Sequence, residues 1–536
     1  MNTRQAGVTP AVSTPATLLR KIAVTYAERV AVACGERSLT YAALAERANR
    51  LANALTASGL DKGDRVAMLG DNCLESLEQI VGSGAGGFVR CSLHAHDAPA
   101  RHRYLIEMTG SRVLVVQDYY YDALVAELDE VPSLELVVVL GDLPQSRGRV
   151  PVVGYEDWLA AASPRPPGVV LEGTDPNVIR FTSGTTGFPK GIIISVEGTM
   201  AMGNELALVL PRFDEDDRYL AAGPLTHAAS MFIYSLLAVG ATTIVLPRFD
   251  PAGFLEIVER ERITATLLVP TMIQMVAEHP DAASRDVSSL RAVMYGAAPI
   301  SEATLSKALR LWGNIMYQLY GQSEVVPMAV LTPRHHHVDG TDAERRRLTS
   351  AGLPTPNSYF RIVDETGAEL PPGEVGEIEA SAPCVMAGIW QNDEAAAERF
   401  TADGWVRTRD MGYVCEDGFL YLADRKEDLI NSGGFNIWPA EIEHAVAAHP
   451  AVRDAAVVGV AHPKWGETPY AVVVLREGHT VSEDELVEWT RQEVGSYKKI
   501  SGVVFADELP RTPVGKLLRR QVREEHFARS AGISGA

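Results

Sequence analysis

The chain has 536 residues, too many for a single hydrophobic core, and its 46% hydrophobic and 22% charged residues make an ordinary globular balance. A formal net charge of −20 sets nucleic acid and anionic membranes aside as partners, so any bound polyanion must be met by a few local cations. No apolar run is long enough to span a membrane, and the N-terminal MNTRQAGVTPAVSTPATLL lacks the apolar centre of a secretory signal, so residues 1–16 read as a disordered lead-in.

Residues 40–58 place Leu44, Ala48, Leu51 and Leu55 at helical spacing, with Thr40 positioned to cap the start and Gly59 after the end. DRVAML (64–69), RVLVV (112–116), LELVVVL (134–140), TTIVL (242–246) and ATLLV (265–269) are strand candidates. Their near-continuous apolar runs suit strands buried on both faces, and alternation with helical stretches predicts an α/β fold with a largely parallel sheet. Gly82, Gly84 and Gly87 in VGSGAGGF have GxGxxG spacing, but CLESLEQIV before them carries helical periodicity, so the stretch reads as a helix end and not as a dinucleotide loop.

FTSGTTGFPKG (181–191) joins NVIRF to GIIIS, two β-like pieces. Gly184, Gly187 and Gly191 let the backbone approach a ligand, Thr182, Ser183, Thr185 and Thr186 bring hydroxyls, and Lys190 brings a positive charge. Proline before the lysine and a β-like sequel exclude a Walker A loop. On composition alone a phosphate cradle and an ordinary polar turn both remain.

His335, His336 and His337 are consecutive and cannot share one face of a regular element, which argues against a metal site. Beyond about residue 350 dense Pro and Gly predict short strands and turns, a small β subdomain. From residue 437, WPAEIEHAVAAHP, AAVVGV, YAVVVL and SEDELVEWTRQEV predict helix, strand pair and helix, a compact α+β unit. The boundary is expected near ADRKED (423–428). Five scattered cysteines, Cys34, Cys73, Cys91, Cys384 and Cys415, form no CxxC pair; they point to reduced thiols and a cytoplasmic protein and offer no zinc site.

Four further stretches follow the glycine-rich loop in order: PLTHAAS (224–230), YGAAPI with QLYGQSE (295–300 and 318–324), WVRTRDMGYVCEDGFLYLADRKEDLI (405–430) and PRTPVGKLLRR (510–520). Together with FTSGTTGFPKG they resemble the adenylate-forming superfamily of acyl-CoA synthetases, peptide-synthetase adenylation domains and luciferases, over roughly residues 17 to 525. The resemblance implies a large N-terminal domain (17–424), built of parallel-sheet α/β and a small β subdomain, and a small mobile α+β C-terminal domain (425–536) hinged near 424–428. It implies ATP and magnesium, an acyl-adenylate made from a carboxylic acid, and CoA as the acceptor.

By the same resemblance, Thr182 to Gly187 and Lys190 grip the β- and γ-phosphates, and Glu324 is the magnesium-linked carboxylate. Tyr320 stacks on adenine, with Gly321 and Ser323 beside it in the motif; Gly296, Ala297 and Ala298 pass close to adenine and substrate. Asp410 accepts the ribose hydroxyls, Arg425 reaches the ribose and phosphate, and Lys516 bridges the substrate carboxylate and the α-phosphate. His227 stands at the mouth of an acid pocket formed with Met231, Phe232, Tyr295, Ala298, Gly321 and Val325, apolar enough for an aryl, cyclic or medium acyl acid. Glu427 falls at the hinge position, and Gly433 and Gly434 suit a narrow passage for a thiol.

The chain departs from the family pattern at Ser323, Arg409, Val196, Ile500 and Ser501. The last two fall in a stretch associated with the acceptor side. They leave room for an amide synthetase, in which an amine attacks the adenylate, beside the CoA ligase; loading of a separate carrier protein is a third possibility and a silent binding protein a fourth. Oligomeric state is left open.

Overall fold

The computed structural model describes residues 13–95, 97–145, 148–182, 189–298, 300–425, 428–432, 435–462, 465–494, 498–512 and 517–527. Ser183, Gly184, Thr185, Thr186, Gly187, Glu427, Gly433, Gly434 and Lys516 lie outside these residues, and Arg425 is described by its backbone alone.

The first expected helix forms over Tyr41–Ala57. The Thr40 hydroxyl accepts from the Ala43 N–H, and Leu44, Ala48, Leu51 and Leu55 are fully buried along one stripe. The glycine-rich VGSGAGGF continues the helix Glu75–Gly86, which Gly87 ends at φ +75°. Its glycines serve packing: a Cβ on Gly82 would stand 2.8 Å from the carbonyl oxygen of Ala48 on the neighbouring helix.

The strand candidates become Arg65–Leu69, Val113–Gln117, Leu136–Leu140, Thr242–Val245 and Ala265–Leu268, and each pairs in parallel with its neighbours. Among the described residues they enter two large sheets, of nine and eight strands. Helices cover both faces, which explains the unbroken apolar runs. A four-stranded antiparallel sheet follows, with Tyr359–Val363, Gly376–Ser381, Val406–Val414 and Leu420–Arg425 as its strands. This is the β texture expected beyond residue 350.

The next strand, Ile430–Ser432, belongs to a different sheet, paired with Phe435–Ile437 and Gly466–Leu475. There Val452–His462 and Gly466–Leu475 form the long expected antiparallel pair, flanked by helices Pro439–Ala447 and Glu483–Val494. This C-terminal unit has its own core around Ile437, Ile442, Val446, Val457, Leu486 and Ile500.

The three histidines diverge. The His335 ring stands edge-on to Phe419, and His337 Nε2 lies 2.7 Å from the Arg334 carbonyl oxygen. His336 is 4% exposed, held between the Tyr295 hydroxyl (3.0 Å) and the Thr332 carbonyl (2.9 Å). Burial pushes its pKa down to about 4, against the pull of the Thr332 hydrogen bond. As pH falls from about 6.5 toward 4, the unfolded chain takes up a proton that the folded ring refuses, so stability is lost across that window and levels off below it. His336→Gln is therefore expected to be less stable at neutral pH but to lose less on acidification. Thermal midpoints at pH 7.5, 6, 5 and 4.5 check this; parallel curves would show that His336 carries none of the acid sensitivity.

Candidate active site

The loops after several parallel strands converge where the two large sheets meet, the edge at which open α/β sheets bind ligands. After Arg65–Leu69, the Asn72 side chain donates to the carbonyls of Gly223 (2.8 Å) and Leu246 (3.2 Å) and accepts from the Leu225 N–H (2.8 Å). It thereby staples the first strand's loop to the PLTH loop that follows Arg218–Ala221. After Val89–Leu93, the His94 ring packs edge-on to His227, with centroids 5.2 Å apart.

Thr182 ends the strand Pro176–Thr182, and Lys190 opens its antiparallel partner Lys190–Ser195, in direct register with each other. The glycine-rich stretch thus links a hairpin whose mouth opens on this edge. Gly296 ends Ala292–Gly296 beside Leu319 of the parallel strand Met316–Gln322. A Cβ there would meet the Leu319 carbonyl oxygen at 2.2 Å, so only glycine fits. Ala297 follows, exposed, at φ +67°, and Ala298 is partly exposed. Arg409, the departure beside Asp410, also has a left-handed backbone, at φ +61°, and pairs with Glu398 at 3.2 Å. Non-glycine residues in this region cost about 1–3 kcal/mol each and cluster at functional sites.

Gly321 and Ser323 are partly exposed, and Ser323 and Glu324 form the two-residue turn between Met316–Gln322 and Val325–Leu331. The turn is fixed by the Met386 N–H donating to the Glu324 carbonyl (2.7 Å). On the same hairpin the Tyr320 hydroxyl donates to Asp410 Oδ2 (2.6 Å), and Gln322 Nε2 donates to the same oxygen. Asp410 itself faces Arg425 across the antiparallel strands. The Glu324 carboxylate is engaged by the Arg399 guanidinium, which also reaches the Thr408 carbonyl (3.5 Å). Tyr320, Glu324 and Asp410 are therefore assembled into one constellation, together with Gln322 and Arg399.

The acid-pocket residues divide. His227 is half-buried, with Nδ1 2.8 Å from the Thr226 hydroxyl; burial, then His94, then Arg180 bring its pKa down to about 4, so the ring is neutral near pH 7. Met231 and Phe232 are buried in a core that Phe232 shares with Tyr219. The structure corrects the assignment of Tyr295: its ring lies in the core on the other side of the sheet, with Phe254 and Leu305, and its hydroxyl bonds His336 and Gln318. Strand parity is the reason, since its neighbour Met294 takes the pocket-side core. Val325 packs in a third cluster with Tyr320 and Met328.

Ile500 is fully buried in the C-terminal core. Ser501 bonds the Thr468 hydroxyl and donates its N–H to the Pro469 carbonyl (2.7 Å). Ile500 is therefore a packing feature, while Ser501 is exposed and tied down by these hydrogen bonds.

Arg399, Gln322, Arg180 and Arg90 escaped the sequence reading. Gln322 lies within QLYGQSE, and Arg180 is the lone base of NVIRF; Arg90 and Arg399 carry no local signal.

The family model described as AMP-binding enzyme matches residues 19–390, and that of the AMP-binding enzyme C-terminal domain matches residues 441–516. The chain is 36% identical to a medium/long-chain-fatty-acid–CoA ligase of Mycobacterium tuberculosis, over 91% of this chain and 86% of that protein. It is 37% identical to a feruloyl-CoA synthase of Amycolatopsis sp, over 92% and 95%. Among solved structures it resembles the amide bond synthetase McbA from Marinactinospora thermotolerans, with a TM-score of 0.85 and 31% identity, covering 96% of this chain and all (100%) of that one.

Proposed function

The chain belongs to the AMP-binding enzyme family, and on that footing we propose that it activates a carboxylic acid with ATP and passes the acyl group to CoA. In the first step a carboxylate oxygen bonds to the α-phosphorus, the bond from that phosphorus to the bridging oxygen breaks, and pyrophosphate leaves. In the second, the thiol sulfur of CoA bonds to the acyl carbon, AMP leaves with the electron pair, and the thiol proton is released.

The observation that carries this reading is the joining of Tyr320, Gln322 and Asp410 by hydrogen bonds on a hairpin that also presents Glu324. Asp410 would take the ribose hydroxyls, and Tyr320 would flank adenine beside Gly296, Ala297 and Ala298. Thr182 to Gly187 and Lys190 would hold the departing phosphates, which need hydrogen-bond donors and positive charge as the bond breaks. Glu324, a hard oxygen donor at the edge of the crevice, fits magnesium, which binds through one or two carboxylates plus phosphate oxygens and would neutralise phosphate charge there. Lys516 would meet the substrate carboxylate and α-phosphate. His227, neutral, would wall the acid without adding charge.

The large and small domains would meet at a hinge near 424–428, with Glu427 in it, since sheet membership changes between Arg425 and Ile430. Gly433 and Gly434 would line the thiol path. The interior packing of Ile500 removes one reason to prefer an amine acceptor. The likeness to an amide bond synthetase keeps amide formation as the second reading.

The test gives the protein ATP, magnesium and a panel of aryl, cyclic and aliphatic acids, each with CoA, with a simple amine, or with neither. Acyl-CoA identified by mass is the expected product. Amide formed at rates the CoA arm does not match would transfer the assignment to the second reading.

A further inference from the structure

Arg90, on Val89–Leu93, and Arg180, on Pro176–Thr182, project from neighbouring parallel strands, where Arg90 is in register with Val178. Arg180 lies two positions beyond Val178, so all three share one face of the sheet. Arg90 is 7% exposed and donates to the Ser92 hydroxyl at 2.8 Å. Arg180, partly exposed, donates to the sulfur of Met202 at 3.4 Å, on the helix Val196–Val209. Among the described residues no carboxylate lies within 4.0 Å of either guanidinium. Glu205, buried on the same helix as Met202, is taken by the N–H and Nδ2 of Asn357 (3.1 and 2.6 Å).

A buried cation without a counter-charge is costly, and two adjacent ones add mutual repulsion. Burial and then the Arg90 charge bring the Arg180 pKa down to about 10, yet it stays protonated at neutral pH. The pair also borders the acid side of the site. The Arg180 charge contributes to holding His227 neutral. Met202, which Arg180 touches, packs in the same core as the acid-pocket residues Met231 and Phe232. A guanidinium fork matches a carboxylate, which could accept two parallel N–H bonds.

We propose that Arg180, with Arg90 as a positioning charge behind it, receives a second carboxylate of the substrate, so that the acid activated here is a dicarboxylic acid on an aryl, cyclic or medium acyl body. One carboxylate is adenylated and the other neutralises the Arg180 guanidinium. This rests on the activation reading above.

The experiment compares matched probes, adipate with hexanoate and phthalate with benzoate, by pyrophosphate release in wild type, Arg180→Met and Arg180→Lys. In wild type the preferred diacid is expected to exceed its monoacid at least about tenfold in kcat/KM. Arg180→Met is expected to lower diacid kcat/KM about a hundredfold, mostly through KM, while monoacid turnover rises because an apolar chain no longer faces a bare charge. Arg180→Lys should recover part of the diacid preference. As a readout apart from turnover, the preferred diacid alone should raise the thermal midpoint of wild type and not of Arg180→Met. Equal use of diacids and monoacids, or an equal loss of both in Arg180→Met, overturns the proposal and leaves acid activation standing. Absence of pyrophosphate release with any acid overturns the activation reading beneath it.

Discussion

Replacing Lys516 by alanine is expected to cut pyrophosphate release at least about a hundredfold, the scale of removing one preorganised electrostatic stabiliser. The first step must bring a carboxylate against a triphosphate, and the repulsion between them grows as water is excluded. A lysine at that point serves both anions together. On either side of it, Arg511 and Leu517 form an antiparallel bridge, and the Leu518 N–H donates to the Pro510 carbonyl (3.0 Å). Arg519, next in the chain, is clamped by Glu443 (2.6 Å) and Asp428 (3.0 Å). The variant should therefore fold normally, and its transfer of acyl from a preformed acyl-adenylate to CoA should fall far less than the first step. Near-normal pyrophosphate release would remove Lys516 from the chemistry.

The second large effect is expected at Glu324. Its carboxylate and the Arg399 guanidinium are mutual partners, with side chains only 12% and 10% exposed. Glu324→Gln leaves a covered cation without its counter-charge, which typically costs about 3 kcal/mol or more. The same change replaces the anionic oxygen proposed for magnesium with a neutral amide oxygen, so activity should fall about a hundredfold or more. The two losses separate in a double-mutant cycle of Glu324→Met, Arg399→Met and their combination. Glu324→Met with Arg399→Met removes both charges and is expected to lie within about 1 kcal/mol of wild type, because the desolvation cost of the pair disappears with it. Activity should stay lost. Urea unfolding of the single and double variants measures the coupling, and additive losses would show the pair to be energetically idle.

The difference between what was and was not legible in the sequence follows from the range of each interaction. The helix over Tyr41–Ala57 was readable because its cap, its apolar stripe and its terminating glycine are all local. The parallel strands were readable because burial on both faces leaves uninterrupted apolar runs. Asp410, Glu324 and Tyr320 were readable only through motifs; nothing local relates Tyr320 to Asp410, whose contact spans 90 positions. Tyr295 was misassigned because which face a strand residue takes depends on register, and a one-residue change reverses it. Arg399 stayed hidden because its partner lies 75 positions away. Ile500 looked like a change of acceptor chemistry and is a core side chain, a distinction that only packing reveals.

Asp410 and Arg425 are cross-strand partners at the end of the β subdomain, and the next sheet begins at Ile430. Five steps of chain, fully extended, reach at most about 18 Å. On so short a leash the C-terminal unit can swivel but cannot drift away. If the proposed hinge and lysine role hold, Lys516 would stay at an effective concentration on the order of millimolar at the crevice, whichever face the unit presents. Turning it toward or away from the nucleotide would then cost a few backbone torsions and no diffusive search.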